Sequence, residues 1–279
     1  MQNSIHEFAE QLLVHNIQIN GLKTLVYCNG LSASRYIEYA AVFHFLSQNI
    51  KQNSLIVEVG CGHSILPSFW QRSGINVVVV DRNKDALKWQ IEKNKAVTGS
   101  FLSAVLADMR FLPFKEGSIE DVSCVSAIEH IPEDGDCEAA FEIGRILKND
   151  GVGVLSFPFS SNSKNQSQHH WATGIPPLMR NLFGFCLPTI LKKLNVDRTG
   201  TYFERPYSYD EMKKRIVNPS KGVEEDYFTL VSGQTIKFVH GKIVPTGVFT
   251  VLEYFIAKFI SVDKDVRDAD AIMLKLRKP

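Results

Sequence analysis

Short apolar runs alternate with helical patterns through the first 160 residues of the chain. Five of these runs predict strands, because each is a continuous apolar segment bounded by turn residues. The predicted strands are 54–60, 76–81, 101–108, 121–127 and 151–159. The predicted helices are 34–49, 65–74, 84–96 and 136–151, with Ser34 and Asn83 as N-terminal caps and Gly74 and Gly151 at the ends.

Strands that are apolar on both faces and alternate with helices indicate an α/β fold, with a parallel sheet covered on both sides. In such doubly wound, Rossmann-like sheets, ligands bind outside the carboxyl ends of the strands, where the strand order switches. We therefore expect the functional residues directly after the five predicted strands.

The second part of the chain is less regular. Residues 160–207 are too long for an ordinary loop, so we expect a helical insertion that forms a lid. The pattern predicts a helix at 207–217, strands at 226–232 and 271–277, and an inserted apolar helix at 248–262. The predicted organisation is an N-terminal segment 1–33, a cofactor-binding core 34–159, the insertion 160–207, and a C-terminal part 208–279 that completes the sheet.

Composition and charge exclude several classes of protein. The 279 residues carry a formal net charge of +1, so no overall field attracts nucleic acid. The five cysteines form no CxxC pair, which indicates neither a zinc site nor a disulfide framework. We expect reduced thiols, a cytoplasmic location, no signal peptide and no transmembrane segment.

The segment LIVEVGCGHS, residues 55–64, places an acid inside a strand and two glycines directly after it. Gly60 and Gly62 allow positive φ and a close approach of backbone to a ligand. A nicotinamide dinucleotide site would have a third glycine three residues after Gly62, and Ile65 occupies that position. The pattern therefore disfavours a cradle for a pyrophosphate.

Two further acids end the next two strands. Asp81 follows Gly60 by 21 positions, which suits a carboxylate that accepts both hydroxyls of a ribose. Asp108 is placed to accept from an adenine amine. Glu58 can hold the backbone amides of the glycine turn or a ligand ammonium. A ribose, an adenine, an ammonium and a cationic sulfonium together describe S-adenosylmethionine.

Several motifs in order resemble the class I S-adenosylmethionine-dependent methyltransferases, of the type 11 kind. They are EVGCGHS, VVVVDRN, LADMRFLPF, SIEDVSCVSAIEHI and FEIGRILKNDGVGVLSFP, within about residues 35 to 160. The resemblance implies a seven-stranded sheet whose last strand is antiparallel. One departure is Asn149-Asp150-Gly151, where members of the family often have Pro-Gly-Gly.

The resemblance also implies the residues that bind the cofactor. Glu58, Gly60 and Gly62 match the motif around the methionine moiety, with Cys61 as a small residue in the turn. The other matching positions are Asp81 and Arg82 at the ribose, Asp108 and Met109 at the adenine, and Ser126 and Ala127 near the sulfur. In related enzymes the segment that opens with Arg35 and Tyr36 often lies across the cofactor.

Glu129 and His130 follow the fourth strand, beside the position from which the methyl group leaves. Histidine is the usual general base near neutral pH, so His130 is the first candidate, although it also suits a role in holding the loop. His170, in the insertion, and Arg205 and Tyr207, just after it, are candidates for binding the acceptor. No metal ligand set is evident.

These features predict transfer of a methyl group from S-adenosylmethionine to a hydroxyl or amine of a small-molecule or glycan-precursor acceptor. Two alternatives stay open: a non-catalytic S-adenosylmethionine-binding regulatory module, and a nicotinamide-dependent oxidoreductase on a similar fold. We expect no nucleic-acid partner. The apolar helix predicted at 248–262 would suit a cover over the core, a homodimer surface or peripheral membrane contact.

Overall fold

The computed structural model describes residues 1–21, 33–48, 50, 54–160, 167–170, 201–232, 257–264 and 269–279. The helices are α1 Gln2–Asn20, α2 Ala33–Ser47, α3 Leu66–Arg72, α4 Lys84–Thr98, α5 Gly135–Ile146 and α6 Tyr209–Met212. The strands are β1 Leu55–Val59, β2 Asn76–Asp81, β3 Ser103–Leu106, β4 Ile119–Val125, β5 Leu147–Pro158, β6 Ser167–His170, β7 Thr201–Glu204, β8 Glu224–Ser232, β9 Ile260–Asp263 and β10 Ala271–Arg277. A 3₁₀ turn covers Ile128–His130, and a π-helical turn, Lys213–Val217, continues α6.

Eight strands form the main sheet in the order β3-β2-β1-β4-β5-β10-β8-β9. Strands β1 to β5 run parallel, β10 is antiparallel to both β5 and β8, and β9 is antiparallel to β8. The strand order reverses between β1 and β4, so the switch lies at the centre of the sheet. The doubly wound α/β prediction is confirmed, with eight strands rather than seven.

The central strands are apolar on both faces because helices cover both sides of the sheet. In β1, Ile56 packs into one core cluster, while Val57 and Val59 belong to the other. This alternation follows from the pleat, which turns successive side chains to opposite faces. Helices α2 and α3 supply residues to the first cluster, and α5 supplies residues to the second.

Helix α1 was not predicted as an element. It packs against α2, where the Asn16 side-chain amide donates to the Tyr36 hydroxyl at 3.0 Å. His15 also pairs with the Ser68 hydroxyl of α3 at 2.8 Å. Burial lowers the pKa of His15 to about 4, so this side chain is neutral. The first 20 residues thus belong to the layer that covers one face of the sheet.

The predicted boundary between the fifth strand and the preceding helix was wrong. The helix ends at Ile146 rather than near Gly151, and β5 begins at once with Leu147, which pairs with Ile119 of β4. The register then shifts, and Asp150 adopts a positive φ of 65°. Polar Asn149 and Asp150 therefore occupy an irregular part of a strand, where polarity and turn propensity are tolerated.

The end of the helix predicted at 248–262 was also wrong. Residues 260–263 form β9, whose Ile260 and Val262 are buried while the residues between and after them are exposed. That two-residue alternation is typical of an edge strand. Residues 248–256 lie outside the described residues, as do 161–166 and 171–200 of the predicted helical insertion. The described parts of that insertion include β6 and β7, which pair antiparallel.

Membrane crossing can be assessed for the ranges given above. None of the helices in them combines the length and apolar character that a membrane span requires.

Gly144 provides a test of the packing of α5. A Cβ at this position would lie 1.9 Å from the Ser220 carbonyl oxygen, which is backbone and cannot move aside easily. We expect Gly144→Ala to lower the free energy of unfolding by about 1–3 kcal/mol through overpacking. Glu138→Ala, at an exposed position of the same helix, is the control. Urea unfolding that gives both variants the same stability would contradict this packing.

Candidate active site

The turn after β1 brings backbone to the centre of the sheet. Gly60 has φ 70° and Gly62 has φ 45°, both in the region that favours glycine. A Cβ at Gly60 would lie 2.6 Å from Ala127 Cβ and 2.9 Å from Met109 Cε. A Cβ at Gly62 would meet nothing within 4 Å. Residue 60 must therefore be glycine for close packing, whereas residue 62 requires it for conformation alone.

Two side chains hold this turn in place. The Gly62 N–H donates to Asp81 Oδ2 at 2.8 Å. The Gln90 amide, buried on α4, donates to the carbonyl oxygens of Gly62 at 3.1 Å and Ser64 at 2.9 Å. The N-terminal cap of α4 is Asn83, as predicted, and its side chain accepts from the Asp85 N–H at 2.9 Å. Asp81 is therefore not the cap of α4, and its carboxylate bonds to the Gly62 and Asn83 N–H groups.

Glu58 has other partners than the turn amides expected for it. Its carboxylate accepts from the Ser123 hydroxyl of β4, and Ser64 also bonds to it. Burial raises the pKa of Glu58 to about 7. Cys61 is buried in the turn beside Asp81, and burial raises the pKa of its thiol, which suits a small packed residue. Neither side chain is among those that line the cavities described next.

A cavity of about 250 Å³ lies against the turn, at the carboxyl ends of β1 to β4. We call it the cofactor cavity. It brings together most of the residues predicted for the cofactor. Its lining includes Gly60, Gly62, Asp81, Arg82, Asp108, Met109, Ser126, Ala127 and His130.

Asp108 is tied to a neighbour that sequence reasoning missed. The Arg110 guanidinium donates to both carboxylate oxygens of Asp108, with Nη2 to Oδ2 at 2.8 Å. Hydrogen bonds from Arg110 hold the pKa of Asp108 below its ordinary value. Arg110 also lines the cofactor cavity. An adenine amine would therefore share this carboxylate with a guanidinium already bound to it.

The loop after β4 is strained and anchored to α2. Ser126 has φ 46°, which is uncommon for a residue with a side chain. Its hydroxyl donates to Glu38 Oε1 at 2.7 Å, and Arg35 Nη1 donates to Glu38 Oε2 at 2.5 Å. Glu38 therefore joins the start of the α2 layer to the loop that faces the cofactor cavity.

Glu129 and His130 lie side by side in the 3₁₀ turn that follows. Only 2% of Glu129 is exposed, and among the described residues its Oε2 has no hydrogen-bond partner. Burial raises the pKa of Glu129 to about 8, and the Arg35 charge opposes this shift. His130 Nε2 lies 3.8 Å from Glu129 Oε1, while its Nδ1 bonds to the Phe203 carbonyl oxygen at 2.9 Å.

A second cavity, of about 540 Å³, adjoins the first, and we call it the acceptor cavity after the acceptor that the sequence predicts. Ser126 and His130 line both cavities, so the two spaces meet at these residues. The described residues that line the acceptor cavity include four acids, Glu38, Glu129, Glu204 and Asp270, and one arginine, Arg35.

Arg205 and Tyr207 are buried in an ion-pair network rather than presented to either cavity. Arg205 Nη1 lies 2.6 Å from Asp136 Oδ2, and the Tyr207 hydroxyl donates to the same oxygen at 2.8 Å. Arg215 also donates to Asp136, with Nε at 2.8 Å from Oδ2. Burial disfavours ionisation of Asp136, but hydrogen bonds from Arg215, Tyr207 and Arg205 hold its pKa below the ordinary value.

Through these contacts Arg205 and Tyr207 fasten the segment after β7 to the start of α5, and binding of the acceptor by them stays a prediction. His170 ends β6, where it pairs with Thr201 of β7. In the part of the chain that the structure describes, no three His, Cys, Asp or Glu side chains group as metal ligands would.

Three polar residues of the site were not predicted from the sequence: Gln90, Glu38 and Arg110. The one local signal was the spacing of Arg35 and Glu38, three residues apart on a helix, which indicates an ion pair. Gln90 acquires its role only because α4 packs under the glycine turn, and no sequence pattern reports that.

Comparison with known proteins identifies the domain. Residues 57–155 match the family model described as a methyltransferase domain. This part of the chain is a methyltransferase domain. This family uses S-adenosylmethionine as its cofactor, and the match favours methyl transfer over the nicotinamide-dependent alternative. No curated protein sequence matches the chain significantly.

Solved structures of methyltransferases share the fold. A S-adenosylmethionine-dependent methyltransferase from Thermotoga maritima aligns over 100% of this chain and 97% of its own, with a TM-score of 0.52 and 13% identity. Another, from Methanosarcina mazei, aligns over 84% of this chain and 96% of its own, with a TM-score of 0.51 and 14% identity. At such identities the likeness is one of fold.

The residues of the methyltransferase domain fit S-adenosylmethionine. Gly60 and Gly62 line the cavity with backbone alone, and a side chain would clash with Ala127 and Met109 at the first position and strain φ at both. Asp81 and Asp108 are acceptors, which suits ribose hydroxyls and an adenine amine. Asp81 Oδ1 accepts from the Asn83 N–H, and Oδ2 accepts from the Gly62 N–H and, at 4.0 Å, from the Cys61 thiol. A carboxylate oxygen can accept more than one hydrogen bond, so Oδ1 in particular can still accept from a ribose hydroxyl.

The two glycines of the turn predict different substitution effects. Gly60→Ala forces a methyl group against Ala127 and Met109 in addition to a strained φ, whereas Gly62→Ala adds the strain alone. We expect Gly62→Ala to cost about 1 kcal/mol of folding stability and Gly60→Ala at least about 2 kcal/mol. Urea unfolding and calorimetric binding of S-adenosylhomocysteine measure both effects. Equal losses in the two variants would contradict the close contact at residue 60.

Glu58 predicts a pH dependence of stability. Its pKa of about 7 in the folded state exceeds its ordinary value of 4.5, so the folded form holds the proton more tightly. The stabilisation is complete below pH 4.5 and is lost as pH rises through 7. Relative to Glu58→Gln, we expect the wild type to lose up to about 3 kcal/mol between pH 4.5 and pH 8.

Urea unfolding of both proteins across this range gives the comparison. Glu7→Gln, at an exposed position of α1, is the control that should follow the wild type at every pH. Parallel curves for the wild type and Glu58→Gln would show that Glu58 does not titrate in this window.

Proposed function

We propose that this methyltransferase transfers a methyl group from S-adenosylmethionine to a hydroxyl or amine of a small molecule or glycan precursor. The observation that carries the proposal is the junction of two cavities at Ser126 and His130. One contains the positions of the cofactor motif, and the other is large enough for a small acceptor. The acceptor and the methyl group could meet at the junction.

The cofactor's place is inferred from the lining of the cofactor cavity. Asp81 would accept from the ribose hydroxyls, and Asp108 with Met109 would contact the adenine. The turn at Gly60 and Gly62, with Ser126 and Ala127 opposite, would lie along the methionine moiety. When bound, S-adenosylmethionine supplies a methyl group on a positively charged sulfur, which is already a good leaving group.

The protein's own task is then to position and desolvate the acceptor. Holding the accepting atom in line with the methyl group supplies much of the rate enhancement. A proton must also leave a hydroxyl or an ammonium. His130 and Glu129 stand at the junction with suitable chemistry, since Nδ1 of His130 is directed to a carbonyl and Nε2 can accept the proton.

We also propose a cytoplasmic location. The described cysteines Cys61, Cys124 and Cys137 are all free thiols, and reduced thiols are typical of a reducing compartment. We further propose that the apolar segment 248–262 serves as a homodimer surface or a peripheral membrane contact.

Calorimetric titration with S-adenosylmethionine and S-adenosylhomocysteine tests the cofactor site. We expect saturable binding by the wild type and a Kd about 10- to 100-fold higher for Asp81→Ala, which loses charge-assisted hydrogen bonds to the ribose and to the Gly62 N–H. Asp85→Ala, at an exposed position in the first turn of α4, is the control and should bind as the wild type does.

Two results would count against the site. Unchanged binding by Asp81→Ala would move the ribose away from the end of β2. No binding by the wild type would overturn the proposed transfer activity.

A further inference from the structure

We propose that the acceptor cavity binds a cationic amine, with Glu129 as its counter-ion and as the acceptor of its proton. The inference rests on the proposed function, because it assumes that a methyl group is delivered at the junction with the cofactor cavity. It narrows the acceptor from a hydroxyl or an amine to an amine that arrives protonated.

The first support is the charge of the cavity. Glu38, Glu129, Glu204 and Asp270 line it with one guanidinium, that of Arg35, among the described residues. Arg35 forms its ion pair with Glu38 at 2.5 Å, so these two charges largely offset one another. Glu129 and Glu204 remain, with no second arginine or lysine among the described lining residues, which favours a cation over a phosphate or carboxylate.

The second support is the unsatisfied oxygen of Glu129. A buried carboxylate oxygen without a hydrogen bond is costly, and such groups in native proteins require an explanation. Glu129 is 98% buried, lines the cavity, and its Oε2 has no hydrogen-bond partner among the described residues. A bound ammonium would supply the missing donor and the missing charge together.

The third support is the position of Glu129. It precedes His130, which lines both cavities, so the carboxylate stands beside the place where an accepting atom would meet the methyl group. An alcohol would also satisfy Oε2 with a hydrogen bond. It would bring no positive charge to Glu129 and Glu204, which is why the observations favour an amine.

Methyl transfer to a protonated amine requires the loss of one proton from nitrogen. The ammonium N–H bond breaks, its proton goes to Glu129 Oε2, and the nitrogen keeps the electron pair. That pair forms the new bond to the methyl carbon, while the pair of the carbon–sulfur bond stays on sulfur and neutralises its charge. Glu129 afterwards releases its proton to solvent, so one proton is liberated for each methyl group transferred.

The electrostatic surroundings of Glu129 come from three elements. Burial raises its pKa to about 8, Arg35 of α2 opposes this, and Glu38 of α2 and Glu204 of β7 add to it. His130 Nε2 lies 3.8 Å from its other oxygen. A cation beside Oε2 favours the carboxylate, so an amine that binds there must lower the pKa of Glu129.

The experiment measures that pKa directly, without cofactor. Protein labelled with ¹³C at the glutamate carboxyl carbons is titrated by NMR, and Glu129→Gln identifies the signal. The probes are matched pairs: methylamine and methanol, ethanolamine and ethylene glycol, and glucosamine and glucose. Each titration is made at one ionic strength set with sodium chloride.

We expect the Glu129 signal to titrate near pH 8 in sodium chloride alone, and at least one amine to lower the pKa by about 1 or more. The neutral partner of that amine should leave it unchanged. Glu204→Gln, which removes a neighbouring negative charge, should lower the pKa even without a probe. It therefore provides a second identification of the signal if Glu129→Gln does not fold.

The same amine, supplied with S-adenosylmethionine, should be methylated, and Glu129→Gln should slow its methylation by about 100-fold or more. Glu92→Gln, at an exposed position of α4, is the control for both measurements. An unchanged pKa with every amine, or methylation of the alcohols alone, would overturn the inference.

Failure of the inference and failure of the proposed function are distinguishable. If S-adenosylmethionine binds in calorimetry and no amine affects Glu129, the transfer activity stands and the amine assignment falls. If S-adenosylmethionine does not bind while an amine lowers the pKa, the cavity binds cations and the proposed reaction is wrong.

Discussion

The site depends on one close approach between two loops, where Gly60 meets Ala127 with no room for a methyl group between them. These residues follow β1 and β4, the neighbouring strands at which the strand order reverses. Because the loops touch, the polar groups of both are brought to one edge of the sheet. Asp81 and Gln90 then hold the first loop, and Glu38 holds the second. This contact between the two loops fixes how far apart their backbones lie, and so fixes the shape of the cofactor cavity between them.

Buried acids in this protein differ in charge because they differ in partners. Glu58 is paired with hydroxyls, and its pKa is raised to about 7. Asp136 is surrounded by two guanidiniums and a phenol, which keep its pKa low despite burial. Glu129 has an arginine nearby but no hydrogen bond to Oε2 among the described residues, and its pKa is about 8. The fully paired acid, Asp136, thus holds two segments together, whereas Glu129, whose Oε2 has no partner among the described residues, lines a cavity.

Local patterns were sufficient for the parallel half of the sheet and for the order of its elements. The strand at 76–81 was predicted with its exact bounds, and Asn83 was recognised as the cap of the next helix. The strand at 260–263 was not, since its four residues follow a long apolar run that also suits a helix. The bonds of Arg205 and Tyr207, predicted to bind the acceptor, could not be foreseen because their partner, Asp136, lies about seventy positions away in the sequence.

The two cavities are assembled from very different spans of chain. Residues 60 to 131 supply the lining of the cofactor cavity, whereas that of the acceptor cavity comes from segments between residue 34 and residue 271. The cofactor cavity is therefore formed by residues that are close together in the sequence. The second exists only after distant segments have been brought together. A substitution in the second cavity at a residue other than Ser126 and His130 would therefore change the shape or charge of that space and leave the lining of the first cavity as it is.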